Sequence, residues 1–242
     1  MKTRSPVRAA APLALVAALA SGLVVLPASA DDLTEDRVRE LVLDTIRKNP
    51  DIVREAIDEL QRREVDRQKV AVQDTIKRNR AALERDPNAP VVGNPDGSTT
   101  LVEFFDYNCP YCKRSAQDVK VLIGRDDDVR VVYREWPILS EGSLFAARAA
   151  LAARKQGRYE DMHWAEESTV MKAAETLGLD LDELRADMKA PEVEEHIALS
   201  MQLAEALGID GTPSFVIGEE LVPGFVPLSR LEELVASARE AR

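Results

Sequence analysis

The chain of 242 residues has two cysteines and two histidines. A tetrahedral zinc site takes four ligands, and His163 and His196 are far apart and lack zinc-finger spacing, so the ligand count argues against zinc. One cysteine pair leaves none over for a structural disulfide framework. No Met- or His-rich tract is present. Beyond Leu26 no stretch is long and apolar enough to cross a bilayer. Positive charge is in deficit, at a net −11. That balance argues against nucleic-acid binding and against adhesion to anionic lipid. Glycine is missing from Asp31 to Glu84, where only one proline occurs.

The first residues read as a secretory signal. Lys2, Arg4 and Arg8 form a positive start, Ala9 to Leu26 are small and apolar, and Ala28-Ser29-Ala30 fits a cleavage site. Cleavage after residue 30 removes three positive charges and no negative ones, taking the net charge from −11 to −14. The competing reading, an uncleaved anchor, is opposed by Pro27 and the small-residue site that end the run. In an oxidising compartment, one closely spaced cysteine pair points to a working dithiol.

The chain is organised around Phe104-Phe105-Asp106-Tyr107-Asn108-Cys109-Pro110-Tyr111-Cys112. Pro110 suits the first position of a helix, where its missing N–H costs nothing. Cys109 is then the N-cap, facing the free N–H groups and the positive end of the helix dipole, which favours its thiolate. The thiolate is the attacking species in disulfide exchange. Cys112, one turn in, is expected to be the less exposed of the two. The bland alternative is an inert disulfide, although such bridges usually close longer loops.

Around this stretch the pattern alternates. Residues 31–85 are helical and charged, with Val38, Leu41, Val42 and Ile46 on one helix. Asn49 is expected to cap a second helix that Pro50 opens, carrying Val53, Ile57, Leu60, Val65, Val72, Ile76 and Leu83. Its apolar stripe is narrow. It suits either a solvated surface helix or an oligomerisation stalk in which several copies face each other. Asp86 to Pro90 reads as a linker. Val91-Val92 and Thr100 to Phe105 read as a hairpin or paired strands about the turn Asn94-Pro95-Asp96-Gly97. A helix to about Leu122 and a strand from Val129 to Tyr133 complete a parallel crossover unit. A helical insertion follows, about 140–207. It includes Tyr159 to Glu167, Val170 to Leu177, a short helix capped by Asp180, and a helix opened by Pro191 with Val193, Ile197, Met201, Ala204 and Leu207 on one face. Strands at Ser214–Ile217 and Glu220–Val222 and a last helix, with Ser229 and Glu232 as a capping box, end the chain.

Cys109-Pro110-Tyr111-Cys112, followed by Gly211-Thr212-Pro213-Ser214, resembles the thioredoxin superfamily. The likeness is greatest to the DsbA-type branch, and it covers about Pro90 to Arg242. Glu103-Phe104-Phe105 precedes the cysteines at that branch's spacing, Arg134 to Leu139 looks like its exit into the helical insert, and Thr212-Pro213 matches its cis-proline loop. The N-terminal segment further resembles ScsC-like (suppressor of copper sensitivity) proteins, some of which trimerise through it and isomerise disulfides. The implied fold is α/β, a thioredoxin-like fold with an inserted helical domain at 86–242, preceded by the helical segment 31–85. The implied activity is periplasmic thiol–disulfide exchange on exported proteins, with Cys109 and Cys112 catalytic, Pro110 and Tyr111 supporting, Thr212 and Pro213 binding substrate, and no cofactor. The implied partners are a DsbD/ScsB-like membrane thiol electron-transfer protein and further copies of the chain, a trimer favoured.

Read physically, a cis bond before Pro213 leaves the Thr212 backbone able to pair with an extended substrate; an ordinary trans proline opening a strand is the base-rate alternative. Glu103 is an acid in a strand built for burial. It either helps to deprotonate Cys112, as the family analogy implies, or faces solvent at a strand edge. Tyr111 stands where strongly oxidising DsbA proteins have histidine, which points toward isomerase or reductase chemistry. His163 and His196 read as ordinary helix residues. A DsbA-like oxidase, a copper-tolerance protein holding Cu(I) on Cys109 and Cys112, and a structural adaptor with incidental thiols are the alternatives.

Overall fold

The computed structural model describes residues 34–165 and 169–241, so the expected signal at 1–30 and the end of the segment running to Glu167 lie outside the described residues. The chain divides into two compact units, Met1–Asp58 and Glu59–Arg242.

In the first unit, α1 spans Glu35–Lys48, with Thr34 as N-cap accepting from the Arg37 N–H at 3.3 Å. Glu35 and Asp36 in its first turn and Arg47 and Lys48 in its last complement the helix dipole. Val38, Leu41 and Val42 are exposed, and no residue of α1 is buried. Asn49 closes α1 instead of opening the next helix. Its backbone and side-chain N–H groups both donate to the Thr45 carbonyl, at 2.9 and 3.0 Å, and α2 (Asp51–Arg85) starts two residues later.

In the second unit α2 changes character along its length. Leu60, Val65 and Val70 are exposed, whereas Ile76 and Leu83 are fully buried. The strands are β1 (Val91–Gly93), β2 (Thr99–Phe105), β3 (Val129–Glu135), β4 (Ser214–Ile217) and β5 (Glu220–Pro223), in the order β1-β3-β2-β4-β5. β2 and β3 are parallel, joined through α3 (Pro110–Arg125), which is the expected crossover. β1 does not form a hairpin with β2. It runs antiparallel to β3, with Val91 opposite Val132. The turn after β1 is tied to the entry of β3: Asn94 N–H donates to Val129 O at 3.0 Å and Asn94 Nδ2 to Asp127 O at 2.8 Å, while Asp128 accepts from the Ser98 N–H at 2.7 Å. The chain therefore steps across β3 to the centre of the sheet. β4 returns antiparallel to β2, and Gly218, at φ 62°, makes the turn into β5.

Alternation along β2 divides the core in two. Leu101 and Phe105 join Val131 and Tyr133 under α3 and α9 (Leu228–Glu240), with the helical insert beside them. Val102, Phe104, Val132 and Val216 face Ile76 and Leu83 of α2 and Leu203 and Leu207 of α8 (Pro191–Leu207). The insert contains α4 (Glu141–Ala153), α5 (Tyr159–His163), α6 (Val170–Thr176), α7 (Leu181–Asp187) and α8. Asp180 caps α7 as expected. α8 serves both cores, so its buried line runs through His196, Ser200 and Leu203, and Met201 points outward. The expected capping box at Ser229 does not form. Pro227 is the N-cap, and Glu232 takes a hydrogen bond from Arg125 at 3.0 Å.

The expected linker after α2 is part of the fold. Arg130 Nη1 donates to Glu84 O at 2.6 Å, and Arg134 donates to Ala82 O and Leu83 O, so two arginines of β3 satisfy the last carbonyls of α2. The Asp86 carboxylate meets Arg134 Nη1 at 2.6 Å.

Candidate active site

Where β2 ends, the loop into α3 is fixed from both sides. The buried Asp106 carboxylate accepts from the Asn108, Ile138 and Leu139 N–H groups at 2.7, 2.9 and 3.0 Å. Its backbone carbonyl accepts the Cys109 N–H at 3.0 Å. Asn108 Nδ2 reaches Ser140 Oγ and Ser143 Oγ at 2.9 and 3.0 Å. These contacts hold the start of the insert against the dithiol and present Ile138 and Leu139 to solvent. None of Asp106, Asn108, Ser140 and Ser143 was expected from the pattern. The sign available was a run of polar side chains just where a buried strand gives way to the cysteines.

Cys109 is the N-cap of α3, in extended conformation, with Pro110 in the first turn. The Cys112 N–H donates to Cys109 Sγ at 3.4 Å. On its other side Cys109 Sγ donates to the Thr212 carbonyl at 3.3 Å, and the Thr212–Pro213 bond is cis. The two thiols are free of any disulfide. Cys112 was expected to be the less exposed, but the two are enclosed alike, at 4% for Cys109 and 5% for Cys112. The Thr212 loop lies over Cys109 as the body of the domain lies over Cys112. Burial pushes the Cys112 thiol up, so it holds its proton tightly.

Glu103 does not sit at a solvent-facing edge. It is fully buried on the central strand, opposite Tyr133 of β3 and Phe215 of β4. Burial pushes its carboxyl up to about 8, against a smaller downward pull from the Ser115 hydroxyl. Its charge is in turn felt at Cys112. Tyr111 is exposed, its ring 6.4 Å from that of Phe225, over which the Arg114 guanidinium sits at 4.6 Å.

The histidines are not ordinary helix residues. His163 packs into an aromatic group behind the site, its ring 4.7 Å from Phe105 and 4.0 Å from Tyr133, with Nδ1 3.4 Å from Tyr107 Oη. His196 Nε2 lies 2.6 Å from Glu135 Oε2 and Nδ1 lies 3.3 Å from Asp86 Oδ2. Tyr159 Oη donates to the other Glu135 oxygen at 2.6 Å. His196 falls at helical spacing between Val193 and Ser200, and Arg134 and Glu135 are charges inside a buried strand. That combination was the available sign of a buried ionic cluster. Among the described residues no group of three or more His, Cys, Asp or Glu is arranged to hold a metal ion.

The family described as the DSBA-like thioredoxin domain matches residues 100–236, which holds the sheet's central strands, the dithiol, the insert and the cis-proline loop. The chain belongs to this DSBA-like family. Among solved structures, a thioredoxin-like oxidoreductase from Silicibacter pomeroyi DSS-3 is 57% identical, with a TM-score of 0.66 over 68% of this chain and 99% of that one. The thiol-disulfide exchange protein alpha-DsbA2 from Wolbachia pipientis is 30% identical, with a TM-score of 0.65 over 71% and 97%. A linker-deletion mutant of Proteus mirabilis ScsC is 27% identical, with a TM-score of 0.63 over 90% and 100%. The curated relatives the DSBA-like chain matches are longer. It is 30% identical over 164 residues to the Na(+)/H(+) antiporter NhaA 3 of Salinispora tropica, which is 63% of this chain but 25% of that protein. The chain thus spans about a quarter of their length, and no helix among the described residues is long and apolar enough to cross a membrane.

Proposed function

We propose that this protein is a periplasmic thiol–disulfide oxidoreductase that isomerises and reduces disulfides in exported proteins. The observation that carries the reading is the setting of Cys109 Sγ at the N-cap of α3, where it accepts from the Cys112 N–H at 3.4 Å and donates to the Thr212 carbonyl at 3.3 Å. An N–H aimed at a sulfur from a helix start favours the attacking thiolate in general, and the cis-proline loop beside Cys109 is the backbone offered to an extended substrate. Cys109 attacks a substrate disulfide and forms a mixed disulfide. A substrate thiol then resolves it, which is isomerisation, or Cys112 does, which is reduction. Glu103, buried behind Cys112, accepts the resolving thiol's proton. Pro110 fixes the start of the helix, Tyr111 faces the substrate, and Thr212 and Pro213 bind it. A DsbD/ScsB-like membrane partner keeps the pair reduced.

The helical segment 31–85 serves oligomerisation, and a trimer is favoured. Supporting this are the apolar side chains left in water along it: Val38, Leu41 and Val42 on α1, and Ile57, Leu60 and Val65 on α2. A helix with so thin a buried face is marginal by itself. The alternative reading within the family, a disulfide oxidase, differs in redox direction.

Refolding of a scrambled disulfide substrate tests both parts. Reduced full-length protein is expected to restore the substrate's activity. The Ile57→Glu/Leu60→Glu variant is expected to sediment as a smaller species and lose most isomerisation, while reduction of a simple disulfide survives. Oxidised protein that introduces bonds into a reduced substrate, paired with reduced protein that leaves a scrambled one unchanged, would favour the oxidase. A variant that keeps both its size and its isomerisation would remove the role given to the helices.

A further inference from the structure

Cys112 and Ser115 are three apart on α3 and share one face of it. That face packs on the side of β2 that carries Leu101, Glu103 and Phe105. Ser115 is fully buried, and its Oγ makes no well-formed hydrogen bond, not even back to its own helix, the usual recourse of a helical serine. Glu103 Oε2 is in the same condition. Two unmade hydrogen bonds on facing groups are costly, and alanine would fill Ser115's space without that cost.

We propose that Ser115 is a positioning residue for the resolving step: its hydroxyl donates to the Glu103 carboxylate once that carboxylate is ionised, and holds it where it receives the Cys112 proton. The inference rests on the role given above to Glu103. A hydroxyl donates more strongly to a charged oxygen than to a neutral carboxyl, so ionisation of Glu103 is what would close the contact. The sense of Ser115's effect agrees, since it draws the Glu103 carboxyl down against burial.

Among the described residues that face Glu103, none is a cation. α3 contributes the Cys112 thiol and Ser115. β3 contributes the Tyr133 phenol opposite it and Glu135 further along. Tyr107 in the loop and Tyr159 and His163 on α5 close the aromatic side. β4 and α9 present apolar side chains, Phe215, Leu231, Leu234 and Val235. Tyr107, Tyr133 and Tyr159 are kept neutral by burial, and burial also holds His163 uncharged.

The step balances as follows. Cys112 gives its S–H proton to the Glu103 carboxylate. Its sulfur attacks Cys109 Sγ, the Cys109–Cys112 bond forms, and the bond from Cys109 to the substrate sulfur breaks. That sulfur leaves with the electron pair and takes a proton from water; the dithiol is oxidised and the substrate disulfide reduced.

Stopped-flow reaction of the reduced full-length protein with a disulfide-linked fluorescent peptide tests this. The concentration-dependent phase reports attack by Cys109, and the concentration-independent phase reports resolution by Cys112. Between pH 5 and 10, Ser115→Ala is expected to move the midpoint of the resolution phase upward by about one pH unit, with its plateau changed less than about twofold. The attack phase should be unchanged, Ser115→Thr should restore the midpoint, and Ser115→Ala should add nothing in the Glu103→Gln background. A Ser115→Ala midpoint equal to that of the parent, with the titration abolished by Glu103→Gln, would overturn the role of Ser115 alone. An unaltered profile in Glu103→Gln would overturn the role of Glu103, and that of Ser115 with it.

Discussion

The Asp86 carboxylate and the Arg134 guanidinium meet at 2.6 Å with both side chains almost wholly out of water. Arg134 at the same time donates to the Ala82 and Leu83 carbonyls, so one side chain joins the end of α2, the segment after it and β3. Removing one partner of a buried pair leaves the other charge uncompensated. Asp86→Asn is expected to lower stability by about 3 kcal/mol near neutral pH, measured by urea unfolding. A loss below about 1 kcal/mol would mean that the pair contributes no more than a surface contact.

His196 extends this cluster to Glu135, and that fixes the sign of a pH effect. Burial alone would draw the imidazolium down, but Glu135 and Asp86 outweigh it and raise His196 above its ordinary 6.5. For Asp86, burial pushes upward but is overcome by hydrogen bonds from His196, Asn88 and Arg134, which hold it well below the carboxylate range. A raised histidine stabilises fully below its unfolded value and loses that contribution as pH rises through the folded one; a depressed carboxylate loses its contribution as pH falls. The stability gap between the parent and His196→Gln is therefore expected to be widest at about pH 5 to 6 and to shrink toward pH 9. A gap that stays flat across this range would show that the fold does not raise His196.

Much of this arrangement was legible in the chain, and the parts that were not share a cause. Cys109 as N-cap and the strand, helix and strand of the β2–α3–β3 crossover are each local signals, whereas the cis bond before Pro213 came from the family resemblance, since the residues alone favour a trans proline. The partner of β1, the burial of Asp86 and the two histidines depend on contacts between distant segments. Val91-Val92 has the same pattern whether it pairs with β2 or β3. Asp86 beside Pro87 looks like a linker until Arg134 is placed opposite it. Glu103 was ambiguous because alternation gives its face but not whether that face is covered.

Glu103 illustrates the stability cost of a buried acid. Its folded value of about 8 lies above the ordinary 4.5 because burial disfavours the charge. Across that window the folded state binds more protons than the unfolded chain, so stability falls as pH rises. Glu103→Gln is expected to be the more stable protein above pH 8, by roughly 5 kcal/mol at most, while resolving mixed disulfides more slowly. Urea midpoints at pH 5 and pH 9 check this. Equal midpoints for the two proteins at pH 9 would contradict a buried, reluctant acid.

The proposed bearing of Tyr111 on redox direction can be measured. Its ring is exposed and offers the Cys109 sulfur no charge. Tyr111→His is expected to stabilise the reduced form and make the pair more oxidising, by about 30 mV for each tenfold change in the equilibrium with glutathione. An unchanged equilibrium would place the control of potential elsewhere in the loop.

The division of labour between the two sulfurs is most directly tested by alkylation at neutral pH of the full-length Cys112→Ser and Cys109→Ser variants, each with one thiol left. Cys109 Sγ accepts from the Cys112 N–H at the start of α3, whereas burial pushes the Cys112 thiol up. The expected result is modification of Cys109 at least about tenfold faster than of Cys112. Equal rates, or a faster Cys112, would contradict Cys109 as the attacking sulfur.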